Sequence, residues 1–467
     1  MWKIQMTGNP QKFDLLIQNG EVALESGLEK LDIGIVGNKI ALIKFNLTQP
    51  ADRIVDASGR IIFPGFIDAH THMGIPIMNT TSADDFESGS MTAAFGGVTT
   101  ILDFTVQEKG QSLKEAVDIR IKKAQNKCQI DYSIHVNVTD QPEKWLHQIP
   151  ELIEEGLISF KVFSTYRQAG MMIDWDQFRK VLKHVDSHGG LLMLHAEDNE
   201  TIESLTDKHL KAGQFDPIFH PRSRPPEAEA LAIENATRIA GELDARLYIV
   251  HLSSRKGLEA ALRAREQGVK LYLETCPQYL LLNEEKYLQE KGHYYIATPP
   301  LRTKKDNEAL WQALADGQID VVATDHCPFT VAQKNVGEGR FHLTPNGIPG
   351  VETLFPLLYT YGVEHGRISL RRLLNVLGKN PAQIFGISHR KGEIREGADA
   401  DLVIWNPDIE TTISANKLHG NADWSPYEGM PISGKLDYTI AQGNILVEGE
   451  NFIGDTQFGE LLLSQQE

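Results

Sequence analysis

The chain has 467 residues, with 46 Lys plus Arg against 63 Asp plus Glu and a formal charge of −17. A surface that acidic repels phosphate backbones and anionic membrane faces, which argues against nucleic acid or a membrane as partner. The length exceeds one small core, so two structural units are expected, one of them large enough for an enzyme.

Three cysteines, Cys128, Cys276 and Cys327, stand far apart in the chain. That usage fits reduced thiols better than a disulfide framework or a Cys-x-x-Cys metal site. Residues 1–13 mix charged and polar side chains without the apolar centre of a signal peptide, and no run is long and apolar enough to span a bilayer. A soluble cytoplasmic protein is the expectation.

In chain order, residues 13–18, 31–36 and 40–43 read as short strands broken by Asn19-Gly20 and Gly37-Asn38-Lys39, the pattern of antiparallel hairpins. The same texture returns at 400–405, 437–442 and 445–447. Packing residues 1–63 against 387–450 as one small β-sandwich, formed by both ends of the chain, would give each segment a core. Between them, at 64–386, apolar strand candidates lie at 61–67, 98–104, 130–138, 159–164, 191–194, 246–250, 269–273 and 319–323. Helical stretches separate them, most clearly at 84–95, 113–124, 142–155, 174–187, 227–243 and 307–315. Strands with helical crossovers in that number predict an α/β chain with a (β/α)8 TIM-like barrel, whose chemistry sits at the C-terminal ends of its strands. A tail, 451–467, follows the second terminal segment.

The strand at 61–67 runs into Asp68-Ala69-His70-Thr71-His72. Side chains two apart on an extended strand point the same way, so His70 and His72 form a two-imidazole clamp suited to a metal such as zinc. Alone, the pair serves equally well as a polar strand end. Later strand ends add His195, His251 and Asp325, and together these side chains would converge on one barrel mouth.

Lys161 lies between Phe160 and Val162 in a strand that should be buried, where an unpaired ammonium is costly. It either pairs with a carboxylate, reaches past the strand end, or as a free amine takes up carbon dioxide to become a carbamate able to bridge two metals. Spacing leaves these routes open. His135, His220, His293 and His342 have no motif support and are read as structural or surface residues.

Longer motifs span nearly the whole chain: Phe63-Pro64-Gly65-Phe66-Ile67-Asp68-Ala69-His70-Thr71-His72, Ser82-Ala83-Asp84-Asp85-Phe86, Gly96-Gly97-Val98-Thr99-Thr100, Ser159-Phe160-Lys161-Val162-Phe163, His195-Ala196-Glu197, Ser223-Arg224-Pro225-Pro226-Glu227, Glu274-Thr275-Cys276-Pro277-Gln278-Tyr279, Thr324-Asp325-His326-Cys327-Pro328-Phe329 and Pro426-Tyr427-Glu428-Gly429-Met430. In these the chain resembles the cyclic amidohydrolases of the dihydropyrimidinase and hydantoinase group, within the metal-dependent amidohydrolase superfamily.

The resemblance implies a barrel with a β-sandwich, two divalent ions, expected to be Zn2+, and a carboxylated lysine. Carried over by position, His70, His72 and Asp325 hold one ion, His195 and His251 the other, and Lys161 bridges both as a carbamate formed from carbon dioxide, N6-carboxylysine. Asp325 is also the implied general base, and Tyr166 the donor to the developing oxyanion. Thr298 and Asn346 stand where relatives hold the substrate ring partly through backbone atoms, Thr298 replacing a serine common among them. Met73, Ile75, Ile77 and Phe163 are close enough in sequence to line a pocket for the ring substituent or to pack the barrel rim.

The implied activity is metal-dependent hydrolysis of the cyclic amide bond of dihydropyrimidines or 5-substituted hydantoins, giving N-carbamoyl amino acids. The partner is then a small cyclic ureide, and the assembly a homo-oligomer, dimer or tetramer. An allantoinase or another cyclic ureide or imide hydrolase is the alternative. Allantoinases and dihydroorotases usually carry an arginine shortly after the His pair, whereas 73–81 holds no Arg or Lys. A non-catalytic dihydropyrimidinase-like scaffold is a further alternative, against which stand all six ligand candidates.

Overall fold

The structure is a computed structural model describing residues 11–454 and 458–465. The opening of the expected N-terminal unit, 1–10, and positions 455–457 and 466–467 of the expected tail lie outside the described residues.

Seven strands precede the barrel: β1 (Phe13–Gln18), β2 (Glu21–Leu24), β3 (Gly27–Lys30), β4 (Asp32–Val36), β5 (Lys39–Lys44), β6 (Ala51–Asp56) and β7 (Ile61–Pro64). The barrel begins with β8 (Phe66–Thr71), followed by a hairpin of β9 (Pro76–Ile77) and β10 (Thr80–Thr81). Its other strands are β11 (Val98–Phe104), β12 (Asp131–Asn137), β13 (Ser159–Phe163), β14 (Leu191–His195), β15 (Leu247–Ile249), β16 (Leu271–Thr275) and β17 (Val321–Val322). The chain returns through β18 (Leu402–Thr412), β19 (Pro431–Ala441), β20 (Asn444–Glu448) and β21 (Asn451–Phe452).

One terminal sheet runs β5-β4-β1-β6, and a second, β21-β20-β19-β18-β7-β2-β3, interleaves strands from both chain ends. Alternation in β1 turns Leu15 and Ile17 toward a core shared with Val22, Ile33, Ile62, Leu402, Ile404 and Ile440. Neither end of the chain could bury those side chains alone. The barrel sheet runs in sequence order from β8 to β17 with parallel pairing throughout.

The single strand expected at 61–67 is in fact two. β7 pairs with β18 in the terminal sheet and β8 with β11 in the barrel. They part at Gly65, whose N–H donates to the Asp401 carbonyl at 2.8 Å. A Cβ there would lie 2.1 Å from Thr99 Oγ1, so only glycine lets the chain cross between sheets at this point. Other boundaries move as well: β16 lies two residues later than the expected 269–273, β19 begins six residues before the expected 437–442, and the helix expected at 142–155 breaks into Pro142–Trp145 and Gln148–Glu154.

Closure of the barrel falls to Asp68. Its carboxylate accepts from Thr324 N–H at 3.0 Å and from Thr324 Oγ1 at 2.5 Å, stapling β8 to the segment after β17. Thr71 bridges His326 in parallel, and His72 N–H donates to the His326 carbonyl at 2.9 Å. The barrel interior is filled by Ile67, Leu102, Phe104, Met193 and Tyr248, with Phe385 and Leu462 in the same cluster.

Leu462 belongs to the tail, which begins as β21 in the terminal sheet and in its later described part lies along the barrel strand β12. Tyr132 N–H donates to the Glu460 carbonyl at 3.0 Å and Leu462 N–H to the Tyr132 carbonyl at 2.7 Å. Burying Leu462 fixes the segment there. Among the described residues no helix is long and apolar enough to cross a membrane.

Beside the tail, Lys391 is buried among three carboxylates, Asp131, Asp399 at 2.9 Å and Asp401 at 2.7 Å. Asp131 begins β12, and its carboxylate also accepts from Glu460 N–H at 2.7 Å, so the cluster joins barrel, tail and the approach to β18. Removing the cation would leave buried carboxylates facing one another. We expect Lys391→Met to destabilise the protein by about 3–5 kcal/mol in urea unfolding. A loss below about 1 kcal/mol would show that the cluster contributes little.

Candidate metal centre

The side chains singled out from the sequence meet at the C-terminal mouth of the barrel. His70 lies in β8 and His72 just beyond it; Lys161 is central in β13, His195 closes β14, and His251 and Asp325 follow β15 and β17. Tyr166, His251 and Asp325 take left-handed backbone conformations, with φ of 70°, 39° and 54°. A non-glycine residue there costs about 1–3 kcal/mol and persists only where its surroundings over-determine it.

For Asp325 those surroundings are visible on both sides. Thr324 is pinned by Asp68, and His326 Nδ1 accepts from Gly350 N–H at 3.0 Å and Val351 N–H at 3.2 Å. The proton of His326 is therefore on Nε2, which donates to Asp84 Oδ2 at 3.1 Å.

His70 Nε2 stands 3.2 Å and His72 Nε2 2.9 Å from Asp325 Oδ1. Candidate ligand atoms of these three residues all lie within 4.8 Å of one another. Lys161 Nζ is 3.3 Å from His70 Nε2, and His195 Nδ1 is 2.9 Å from His251 Nε2. The ring centroids of His70 and His251 are 5.4 Å apart, which links the two groups.

Acids behind the rings fix their orientation. His70 Nδ1 donates to Glu274 Oε1 at 2.7 Å, which also accepts from His251 N–H at 3.0 Å, while Tyr248 hydroxyl donates to Glu274 Oε2 at 2.8 Å. His195 Nε2 donates to Glu197 Oε2 at 2.8 Å, an oxygen shared with Arg224 Nη1 at 2.6 Å. In both cases the outer nitrogen is protonated and the inner one keeps its lone pair, the form a metal needs.

The electrostatics agree with that form. Burial holds the His70, His195 and His251 imidazoles below their ordinary range, in the neutral state. Burial pushes the Glu274 carboxyl up to about 8, whereas at Glu197 the same burial is overcome by Arg224 and His195, leaving about 2. Lys161 is fully buried and forms no ion pair among the described residues; its Nζ faces the Phe104 and Phe163 rings at 4.6 and 5.2 Å. Desolvation brings its ammonium down to about 8.

These residues fit a divalent cation. With its proton on Nδ1, His70 directs the Nε2 lone pair at a carboxylate oxygen 3.2 Å away. Two acceptors so placed repel unless a cation lies between them, and an imidazole and carboxylate set suits zinc and its first-row neighbours.

Asn346 Nδ2 donates to Thr298 Oγ1 at 2.8 Å, so these two expected substrate contacts are adjacent. A cavity of about 310 Å3, lined by Tyr166, Asn346, Met78, Ile202, His220 and Phe341 among others, opens beside them. Phe163 stays close to the centre, its ring 6.0 Å from Tyr166 and 5.8 Å from His195. Ile75 and Ile77 pack with Cys327 and Phe329. Met73 is fully buried against Gly89 in the core, which removes it from the pocket residues.

Sequence reasoning did not mark Asp68, Glu197, Arg224 or Glu274 as supports of the site. A usable signal was present at Glu274, an acid directly after an apolar strand, which invites the same question as Lys161. His135 proves structural, held inside the barrel by Ser159 Oγ at 2.6 Å and the Ala69 carbonyl at 3.1 Å.

A parallel barrel with this donor set at its mouth defines the class of metal-dependent barrel hydrolases. Residues 61–446 match the Amidohydrolase family. Over 450 residues the chain is 39% identical to the D-hydantoinase of Geobacillus stearothermophilus, covering 95% of each protein. It is 38% identical over 455 residues to the D-phenylhydantoinase of Escherichia coli O1:K1 / APEC, covering 96% of this chain and 97% of that one. The crystal structure of dihydropyrimidinase from Brevibacillus agri NCHU1002 aligns with a TM-score of 0.94 at 36% identity, covering 96% of this chain and 98% of that one. The chain belongs to the Amidohydrolase family and is a cyclic amidohydrolase.

Proposed function

We propose that the protein hydrolyses the cyclic amide bond of dihydropyrimidines and 5-substituted hydantoins, giving N-carbamoyl amino acids. The observation that carries this reading is the convergence of His70, His72 and Asp325 beside a buried, unpaired Lys161, in a chain similar throughout its length to hydantoinases and dihydropyrimidinase.

His70, His72 and Asp325 would hold one divalent ion, His195 and His251 a second, and Lys161 as N6-carboxylysine would bridge them, Zn2+ being the expected metal. Ions so held supply Lewis acidity toward a ring carbonyl and lower the pKa of water. Asp325 takes a proton from the attacking water and returns it to the ring nitrogen as the carbon–nitrogen bond breaks. Tyr166 donates its hydroxyl to the carbonyl oxygen as charge develops there, and burial raises its phenol, so the donor stays protonated. Thr298 and Asn346 hold the NH-CO-NH edge of the ring.

A neutral ring is favoured because the two arginines that line the cavity, Arg224 and Arg167, are already paired. Arg224 is tied to Glu197, and Arg167 to Glu200 and Glu203. An anionic substrate would have to compete with those carboxylates. The test is kcat/KM of the metal-replete protein on dihydrouracil, a 5-monosubstituted hydantoin, allantoin and dihydroorotate. We expect the first two to dominate, and preference for either of the others would overturn the substrate class.

Carbamate formation gives a pH dependence. Only the neutral amine adds to carbon dioxide, forming an N–C bond and releasing a proton. With Lys161 lowered by burial to about 8, the neutral fraction rises from roughly a tenth at pH 7 to roughly a half at pH 8. Reactivation of metal-free, carbon dioxide-depleted protein, by metal at fixed dissolved carbon dioxide, should be about fivefold faster at pH 8 than at pH 7. A flat rate across that interval would contradict the assignment.

All three cysteines are free and buried, which supports a reducing, cytoplasmic setting. A homo-oligomer, dimer or tetramer, is the expected assembly.

A further inference from the structure

Lys334 lies in the short helix Val331–Asn335 and is completely buried. It makes no ion pair among the described residues. Its Nζ donates to the Ile296 carbonyl at 2.8 Å and to the Pro345 carbonyl at 2.7 Å, beside the Phe329 and Trp424 rings at 5.5 and 6.0 Å. A buried amine held only by carbonyls and aromatic faces is an expensive choice for fold stability, since an apolar side chain of similar length would fill the same space.

What it joins gives the choice a purpose. Ile296 lies two residues before Thr298, and Pro345 directly precedes Asn346. The Ile296 carbonyl also accepts from Gly347 N–H at 3.0 Å, and Asn346 Nδ2 donates to Thr298 Oγ1 at 2.8 Å. The amine therefore closes a ring of hydrogen bonds between the two segments. The preceding residue extends the connection: Gln333 Nε2 donates to Thr80 Oγ1 at 2.6 Å and to the Thr81 carbonyl at 2.8 Å, tying the β9–β10 hairpin to the same helix. Three loops of the mouth are thus referred to one turn of helix.

We propose that Lys334 is a positioning residue that sets the spacing of Thr298 and Asn346, and so the fit of the substrate ring edge, without touching substrate itself. This rests on the reading that those two residues hold the ring. Burial brings the Lys334 ammonium down to about 7, yet the neutral amine still has a hydrogen for each carbonyl, so the tie does not depend on its charge.

The test uses full-length, metal-replete protein and a 5-monosubstituted hydantoin. Lys334→Met keeps the length of the side chain and removes the donors, leaving the Pro345 carbonyl without this partner. KM is expected to rise at least about tenfold, with kcat within about threefold of wild type and metal content unchanged. Lys334→Gln, which retains an amide donor, should fall between the two, and it decides the matter if the Met variant is insoluble. A KM within about twofold of wild type in a metal-replete variant overturns the proposal. So does a joint fall of kcat and metal content at unchanged KM, the mark of a purely structural residue. Wild-type protein inactive on hydantoins and dihydropyrimidines would instead break the underlying reading of the reaction, a result distinct from either.

Discussion

Lys161→Ala is expected to lower kcat by about a thousandfold or more and to reduce the bound metal, even with bicarbonate and metal supplied in excess. The reason is the chemistry of the site's interior. Lys161 Nζ lies 3.3 Å from His70 Nε2, and the carboxylate behind that ring, Glu274, already accepts from His70, His251 and Tyr248. Asp325, the other carboxylate at the centre, is engaged on the side of His70 and His72. Two cations brought close without an anionic oxygen between them repel each other strongly in a buried setting. Lys161→Arg separates this account from simple loss of charge. Arginine keeps a cation but forms no carbamate, so it should fall as far as alanine. Metal analysis together with steady-state rates checks both variants. Retention of two ions and of more than about half the activity in either would refute the bridging lysine.

The side chains that meet at the mouth were legible because polar residues of a parallel-barrel mouth obey a local rule. All but Lys161, which is central in β13, lie at or just past the end of an apolar strand, and His70 and His72 show their shared face through simple alternation. The architecture was legible for a similar reason, since β1 and β18 display their buried sides within single short segments. What escaped depends on contacts between distant parts of the chain. Glu274 reaches His70 across 204 positions, and Asp68 reaches Thr324 across 256. Neither separation has a local signature. Gly65 looked like part of one apolar strand, because the need for glycine there comes from Thr99 and Asp401, which approach only after both sheets exist. Met73 was open between the pocket and the packing of the barrel rim. Its nearness to His72 in sequence suggested the pocket, but the turn through Gly74, at φ of 57°, leaves it in the core against Gly89. Lys334 left no signature of its own, because its partners are the Ile296 and Pro345 carbonyls, which carry no residue identity.

Asp325→Asn should lower kcat by about 10^3 to 10^4 while changing KM much less. Asparagine preserves the volume and one carbonyl oxygen, so the left-handed backbone at φ of 54° and a ligand toward His70 and His72 can both survive. Asparagine is also among the residues that tolerate that conformation best. What it cannot do is accept a proton. Its exposure is what supports Asp325 in the proposed task. Its side chain is 15% exposed, as is that of His72, whereas His70 and Lys161 are sealed from the mouth. A base must meet the attacking water and the departing ring nitrogen on the open side of the centre, and a sealed ligand cannot. The decisive readout is the ratio of activity to metal content. If the Asn variant loses metal in proportion to activity, Asp325 acts only as a ligand; if it keeps its metal and loses turnover, the carboxylate carries the proton. A variant that keeps both would transfer the base to another group, and the pH profile of kcat would then show which.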